Sequence, residues 1–142
     1  MTFAFDLATE VHEQQNGEYS GVVHDGWDIR SNANGGYVMA LVASAMRNAS
    51  QRQDPISVTA HYLAPLPPGE VRIATEVVKR GKTFCTVTAA MYQSGREAVR
   101  VIGAFGDAAG RNEVSESLFH VDIAPPQLPP MTECQVCPSA PC

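Results

Sequence analysis

Positive charge is scarce in this chain: 10 Lys and Arg stand against 15 Asp and Glu, a net charge of −5. That deficit excludes the general affinity for nucleic acid or anionic membrane that a basic surface provides. Long apolar runs are also absent, and none approaches the roughly 20 residues of a membrane span. Met1-Thr2-Phe3-Ala4-Phe5-Asp6 has neither the basic nor the long apolar region of a secretory leader. The expectation is a cytoplasmic protein. Cysteine is sparse until the end of the chain, where Cys134, Cys137 and Cys142 crowd together and leave Cys85 alone. Cys134-x-x-Cys137 has the spacing of half a zinc site or of a redox pair. A zinc site needs two further ligands, and a redox pair usually opens a helix in a βαβ setting. Neither context surrounds these prolines, so no metal is expected.

Apolar residues are present in quantity, 44% of 142, enough for one domain with a substantial core. The most informative stretch runs from Asn34 through Gly35-Gly36-Tyr37 to Met46. Asn34 is a good N-cap, and the pattern predicts a helix over 36–48 that is apolar on nearly every side. Such a helix is one wrapped by the rest of its domain. The glycines fall where the first backbone N–H groups have no partner within the helix, and they let a ligand approach closely. The electropositive start of such a helix suits a polarised carbonyl or an anion.

Around this helix the period is two. Glu18–Val23 reads as a short strand, Trp27–Ile29 as an extended continuation, and 30–33 as a loop. From Ile56 onward, alternating segments near 56–63, 71–79, 83–92 and 98–105 are separated by short Gly-containing turns. That spacing predicts an antiparallel meander of four long strands. The hotdog domain is expected over 1–110, and a Pro-rich linker or tail over 111–142. One long buried helix wrapped by an antiparallel sheet of five or six strands is an α+β hotdog fold.

Four motifs occur in order: Asn34-Gly35-Gly36-Tyr37, His61-Tyr62-Leu63-Ala64-Pro65, Arg80-Gly81-Lys82-Thr83-Phe84 and Gln93-Ser94-Gly95-Arg96. Together the chain resembles the N-terminal hotdog of the acyl-CoA thioesterase II-like family, over about residues 3 to 130. The resemblance implies hydrolysis of acyl-CoA thioesters, with coenzyme A entering as part of the substrate and no other cofactor. It also implies two hotdogs joined by a Pro-rich linker, of which this chain resembles the first with its linker. The family's catalytic carboxylate, with its Thr and Gln partners, belongs to the second hotdog. The matching helix start here carries Gly35-Gly36 and no acid. A homodimer, or pairing with a second hotdog domain, is therefore expected.

Thioester hydrolysis needs a polarised carbonyl, an activated water and a grip on the acyl and CoA parts. The backbone N–H groups of Gly35, Gly36 and Tyr37 suit the first task, although glycines also simply permit tight packing. For water activation the candidates are Asp25, Asp28, Asp54 and His61, each with an ordinary role beside it. That role is turn former or solvated group for the loop aspartates, above all Asp54 before Pro55, and satisfied strand residue for His61. Ser44 lies in no G-x-S-x-G context, which leaves a serine hydrolase without support. Substrate binding is expected from Asn34, Trp27, Arg80, Lys82 and Phe84. The resemblance aims the basic cluster of Lys79, Arg80 and Lys82 at CoA phosphates, while an ordinary charged turn explains it too. Two functions follow: an acyl-CoA thioesterase or half of its site, and a catalytically silent acyl-CoA-binding or assembly hotdog. A hotdog hydratase would need a Tyr-Asn-x-x-His-x-Asp-like arrangement that the sequence does not contain.

Overall fold

The computed structural model describes residues 3–107 and the isolated positions 124, 127 and 130. The expected tail, with Cys134, Cys137 and Cys142, otherwise lies outside the described residues. The elements are α1 (Ala4–Ala8), β1 (Val11–Gln15), β2 (Glu18–Val23), β3 (Asp28–Ile29), β4 (Asn32–Ala33), α2 (Gly35–Ser50), β5 (Asp54–Tyr62), β6 (Gly69–Arg80), β7 (Cys85–Gln93) and β8 (Arg96–Gly106). Six strands form one sheet in the order β1-β2-β6-β7-β8-β5, and β3 and β4 form a separate two-residue hairpin. Every pairing is antiparallel. A six-stranded antiparallel sheet packed on one long helix is the hotdog arrangement expected from the sequence.

Helix α2 forms because its interior is rich in Ala, Met and Leu and free of Pro. It begins at the Asn34 cap and ends where Gln51 turns left-handed at φ 58°. Its inward residues recur at helical spacing: Tyr37 and Val38, then Leu41 and Val42, then Ala45 and Met46, all buried. They pack on Ile73 of β6, on Val87 and Met91 of β7, and on Val99 and Phe105 of β8, within one core cluster. Removing a fully buried side chain such as Leu41 to alanine costs about 2–5 kcal/mol. The sheet covers only this face. Met39, Ala40, Ala43 and Ser44 opposite are half-buried, and Arg47 and Asn48 are exposed. Small residues on that face, rather than an enclosing sheet, give the sequence its apolar-all-round look.

The four-strand meander requires correction. β6, β7 and β8 follow one another as expected, but β5 pairs with β8 across the sheet, with His61 opposite Arg100 and Thr59 opposite Ile102. The Pro-rich connection from Leu63 to Pro68 is thus a crossover and not a hairpin. β5 becomes an edge strand. The structure also adds α1 and β1 to the sequence reading; β1 (Val-His-Glu-Gln-Gln) is an exposed edge strand without apolar alternation. Its link to β2 is a two-residue turn, Asn16-Gly17, with φ 48° and 79°. Among the described residues no helix is long and apolar enough to cross a membrane.

Candidate functional site

The amino end of α2 is built around Asn34. Its side-chain Oδ1 accepts from the Gly36 N–H at 2.9 Å and from the Tyr37 N–H at 3.4 Å. Its backbone oxygen accepts from the Val38 N–H at 3.0 Å, and its own N–H donates to the Trp27 carbonyl at 2.8 Å. The cap therefore takes two of the three donors that the sequence offers to a carbonyl. The Gly35 N–H has no acceptor among the described residues. A ligand oxygen at this helix start meets Gly35 first, and reaches Gly36 or Tyr37 only by displacing the Asn34 amide.

Tyr62, at the end of β5, completes this corner. Its hydroxyl donates to the Gly35 carbonyl at 2.5 Å. A Cβ on residue 35 would lie 3.2 Å from the phenol oxygen and ring, so glycine is what lets Tyr62 close on the helix. Partial burial pushes the Tyr62 phenol above its ordinary range. The sequence reading passed over Tyr62. Strand alternation turns it toward the helix, opposite to His61, but nothing local names the glycine it meets.

On the other side of Asn34 stands an aromatic stack. The Tyr37 ring is buried, and its hydroxyl accepts from the His24 N–H at 3.1 Å. It reaches the Ala8 and Val22 carbonyls at 2.9 and 3.1 Å. Trp27 stacks on Tyr37 with centroids 5.5 Å apart, and Phe5 meets Trp27 edge-on at 5.3 Å. Asp28 holds the adjacent hairpin, accepting from the Gly26 N–H at 3.2 Å and the Ser31 N–H at 3.1 Å. Arg30 and Ser31 between β3 and β4 both have positive φ, 52° and 63°, a conformation costly for residues with a Cβ.

Two grooves flank the helix start. One, of about 400 Å³, lies between Phe5, Trp27, Asp28, Ile29, Asn34 and Tyr37. The other, of about 450 Å³, is aliphatic and includes Gly35, Val38, Tyr62, Leu63 and Leu66. The structure thus brings Trp27, Asp28, Asn34, Gly35, Gly36 and Tyr37 into one region. A larger groove, about 830 Å³, lies between β1, β2 and β6 near Arg72 and Tyr92 and includes none of these residues.

The remaining candidates lie elsewhere. His61 is exposed and alternates with Tyr62, so it faces away from Gly35. Arg80 donates to the Ala49 and Ser50 carbonyls at 3.0 and 3.1 Å, at the carboxyl end of α2. Sixteen helical residues, about 24 Å, separate it from Gly35. Lys82 is exposed at the same end. Phe84 is also exposed there, its ring so close to Gly106 that a Cβ on the glycine would lie 3.2 Å from it.

A family model described as the acyl-CoA thioesterase N-terminal domain matches residues 23–106, from the end of β2 to the end of β8. The chain belongs to that family. The uncharacterized protein Rv0499 of Mycobacterium tuberculosis is 30% identical over 95 residues, covering 63% of this chain and 33% of that protein. The thioesterase-family domain thus spans about a third of the length of that curated relative. Among solved structures, a candidate thioesterase II from Thermobifida fusca is 30% identical with a TM-score of 0.76, covering 95% of this chain and 49% of that one. A hotdog-fold protein of unknown function from Alicyclobacillus acidocaldarius is 23% identical with a TM-score of 0.73, covering 99% of this chain and 52% of that one. The thioesterase-family domain corresponds to about half of each.

Proposed function

We propose that this thioesterase-family hotdog binds an acyl-CoA and presents its thioester carbonyl to the amino end of α2, as half the site of an acyl-CoA thioesterase. One observation carries the reading. The Gly35 N–H is left without an acceptor among the described residues, at the positive end of a long helix and beside an apolar groove. Such a donor stabilises the negative charge that develops on a thioester oxygen during attack. The water-activating group is the missing part. The Asp28 carboxylate is engaged by two backbone N–H groups, and His61 faces the other way. On this reading the base comes from a second hotdog, and the protein acts in the cytoplasm on fatty acyl thioesters.

β5 offers the place for that partner. It is an edge strand in which Ile56 and Tyr62 are about half exposed, as is Leu63 just after it, and unpaired edges invite strand addition. We infer a homodimer with a continuous sheet, or the same pairing with a second domain. An antiparallel β5–β5 contact sets the Tyr62 end of one strand against the Asp54 end of the other. Lys82 and Phe84 of the neighbour then approach the Gly35 corner, rejoining residues that a single hotdog keeps apart. Light scattering at micromolar concentration should give twice the 15.2 kDa chain mass; a monomer would count against the homodimer.

The functional test is Gly36→Val, assayed for acyl-CoA binding and hydrolysis alongside circular dichroism. A Cβ there meets only Asn34 Oδ1, at 3.2 Å, so the branched side chain disturbs the cap beside the open Gly35 N–H while leaving the core untouched. Loss of such a donor costs about 100- to 1000-fold in turnover. Unchanged turnover or affinity in a folded variant would move the site elsewhere. A second reading, a silent acyl-CoA-binding or assembly module, is favoured by glycines standing where an acid would be needed. Wild-type binding without turnover, even with a second hotdog supplied, would select it.

A further inference from the structure

We infer that the groove walled by Phe5, Trp27 and Ile29 receives the acyl group, and that α1 sets its length limit; this rests on the acyl-CoA reading above. The groove begins at Asn34, the residue next to the free Gly35 donor. Its wall and the cap are tied together, because the Asn34 N–H donates to the Trp27 carbonyl. Gly35 itself lines the aliphatic groove, so a chain leaving a thioester there reaches the aromatic groove by passing over the exposed Asn34 side chain, outside the Asn34–Trp27 hydrogen bond. The floor is rigid: Tyr37 is 3% exposed and its hydroxyl is fastened to β2, to the chain just after it and to α1. The rim is the opposite. Phe5 and Ile29 leave 42% and 64% of their surface in water, apolar area that an apolar ligand would cover.

The two grooves differ in what closes them. The aliphatic one borders Tyr62 and Leu63 on the free sheet edge, where a second hotdog pairs, so its outer wall belongs partly to the partner. The aromatic one is bordered within this chain by Phe5 of α1. That helix precedes the residues 23–106 that the family model matches. A groove of about 400 Å³ is near the small end of ligand pockets. Short and medium acyl groups lie within it, and a chain that outgrows it runs against Phe5.

The 142-residue chain should be tested for binding and hydrolysis of butanoyl-, octanoyl- and dodecanoyl-CoA. In wild type the shorter thioesters should be preferred. Phe5→Ala opens the far wall and should shift the ratio of dodecanoyl to butanoyl affinity, or of kcat/KM, by about tenfold or more toward the long chain. Ile29→Ala, on an exposed hairpin where misfolding is not at issue, should shift it in the same direction by less. A ratio unchanged within about twofold in both folded variants overturns the assignment. A shift produced by Leu63→Ala, with Phe5→Ala silent, overturns it too and sends the chain to the groove beside β5. A wild-type protein that binds none of the three thioesters overturns the functional reading itself, a different failure from an unchanged ratio.

Discussion

The two ends of α2 face the same difficulty and meet it differently. Every helix leaves backbone donors orphaned at its start and acceptors orphaned at its finish. At the finish, this protein closes nearly everything. Arg80 covers the Ala49 and Ser50 carbonyls, the Ser50 hydroxyl donates to the Arg47 carbonyl, and Gln51 turns left-handed so that its N–H returns to Arg47 and Asn48. Arg52 then ties the Gly81 and Lys82 carbonyls to Asp107. At the start, Asn34 closes two donors and Gly35 keeps one open, with a groove on either side. One end is fastened and the other keeps an open donor. A positive charge near a helix carboxyl end and an anion near its amino end are both favourable, so the same macrodipole serves stability at one end and, on the proposed function, recognition at the other.

The largest effect should come from loosening the receptive end where it is anchored. Tyr37→Phe removes one hydroxyl but strands the Ala8 and Val22 carbonyls and the His24 N–H around it. Leaving such groups unsatisfied costs about 1–3 kcal/mol, or several degrees in Tm for a domain of this size. Because the hydroxyl also holds α1, acyl selectivity should loosen together with stability. A Tm within about a degree of wild type would show that the stack of Phe5, Trp27 and Tyr37 stands without that anchor.

A paired substitution sharpens the contrast at the fastened end. Arg80→Ala should cost about 1 kcal/mol through the uncovered helix carbonyls, with little change in CoA affinity. Lys82→Ala should leave stability within about 0.5 kcal/mol, while weakening CoA binding and flattening its salt dependence if the lysine meets phosphate. Thermal melts and binding isotherms at two ionic strengths separate the two outcomes. The reverse pattern, a stability loss at Lys82 and a salt-dependent binding loss at Arg80, would exchange their roles.

What the sequence made legible follows from the range of the signal. The α2 cap, the turn at Ser94-Gly95 and the alternation of β7 and β8 are written in neighbouring residues. The partner of β5 is not: alternation says that Ser57, Thr59 and His61 share a face, and is silent on whether β6 or β8 lies alongside. The candidate site divides the same way. Asn34 and the glycines announce themselves locally, whereas the contacts of Tyr62 with Gly35 and of Phe5 with Trp27 join residues far apart in the chain. Arg80 and Lys82 looked alike as a basic pair, and only the fold separates a helix cap from an exposed lysine.

The smallest predicted effect concerns the pin behind the fastened end. Hydrogen bonding from Arg52, and then from the Gln53 N–H, holds the Asp107 carboxyl below its ordinary value. A lowered folded-state value means that the ionised form stabilises the fold, fully above the unfolded value near pH 4 and progressively less as pH falls through the lower folded value. Asp107→Asn should therefore lower Tm slightly at about pH 7, and the gap from wild type should narrow as the pH drops below about 4. Asp107 is solvent-exposed, so the gap is small and shrinks with added salt. Calorimetric melts of both proteins across that range test it. A gap that stays constant with pH would mean that the difference between the two proteins lies in the shape and hydrogen bonding of the substituted amide beside Arg52 and Gln53, and that the carboxyl's charge adds nothing to the closure of this end.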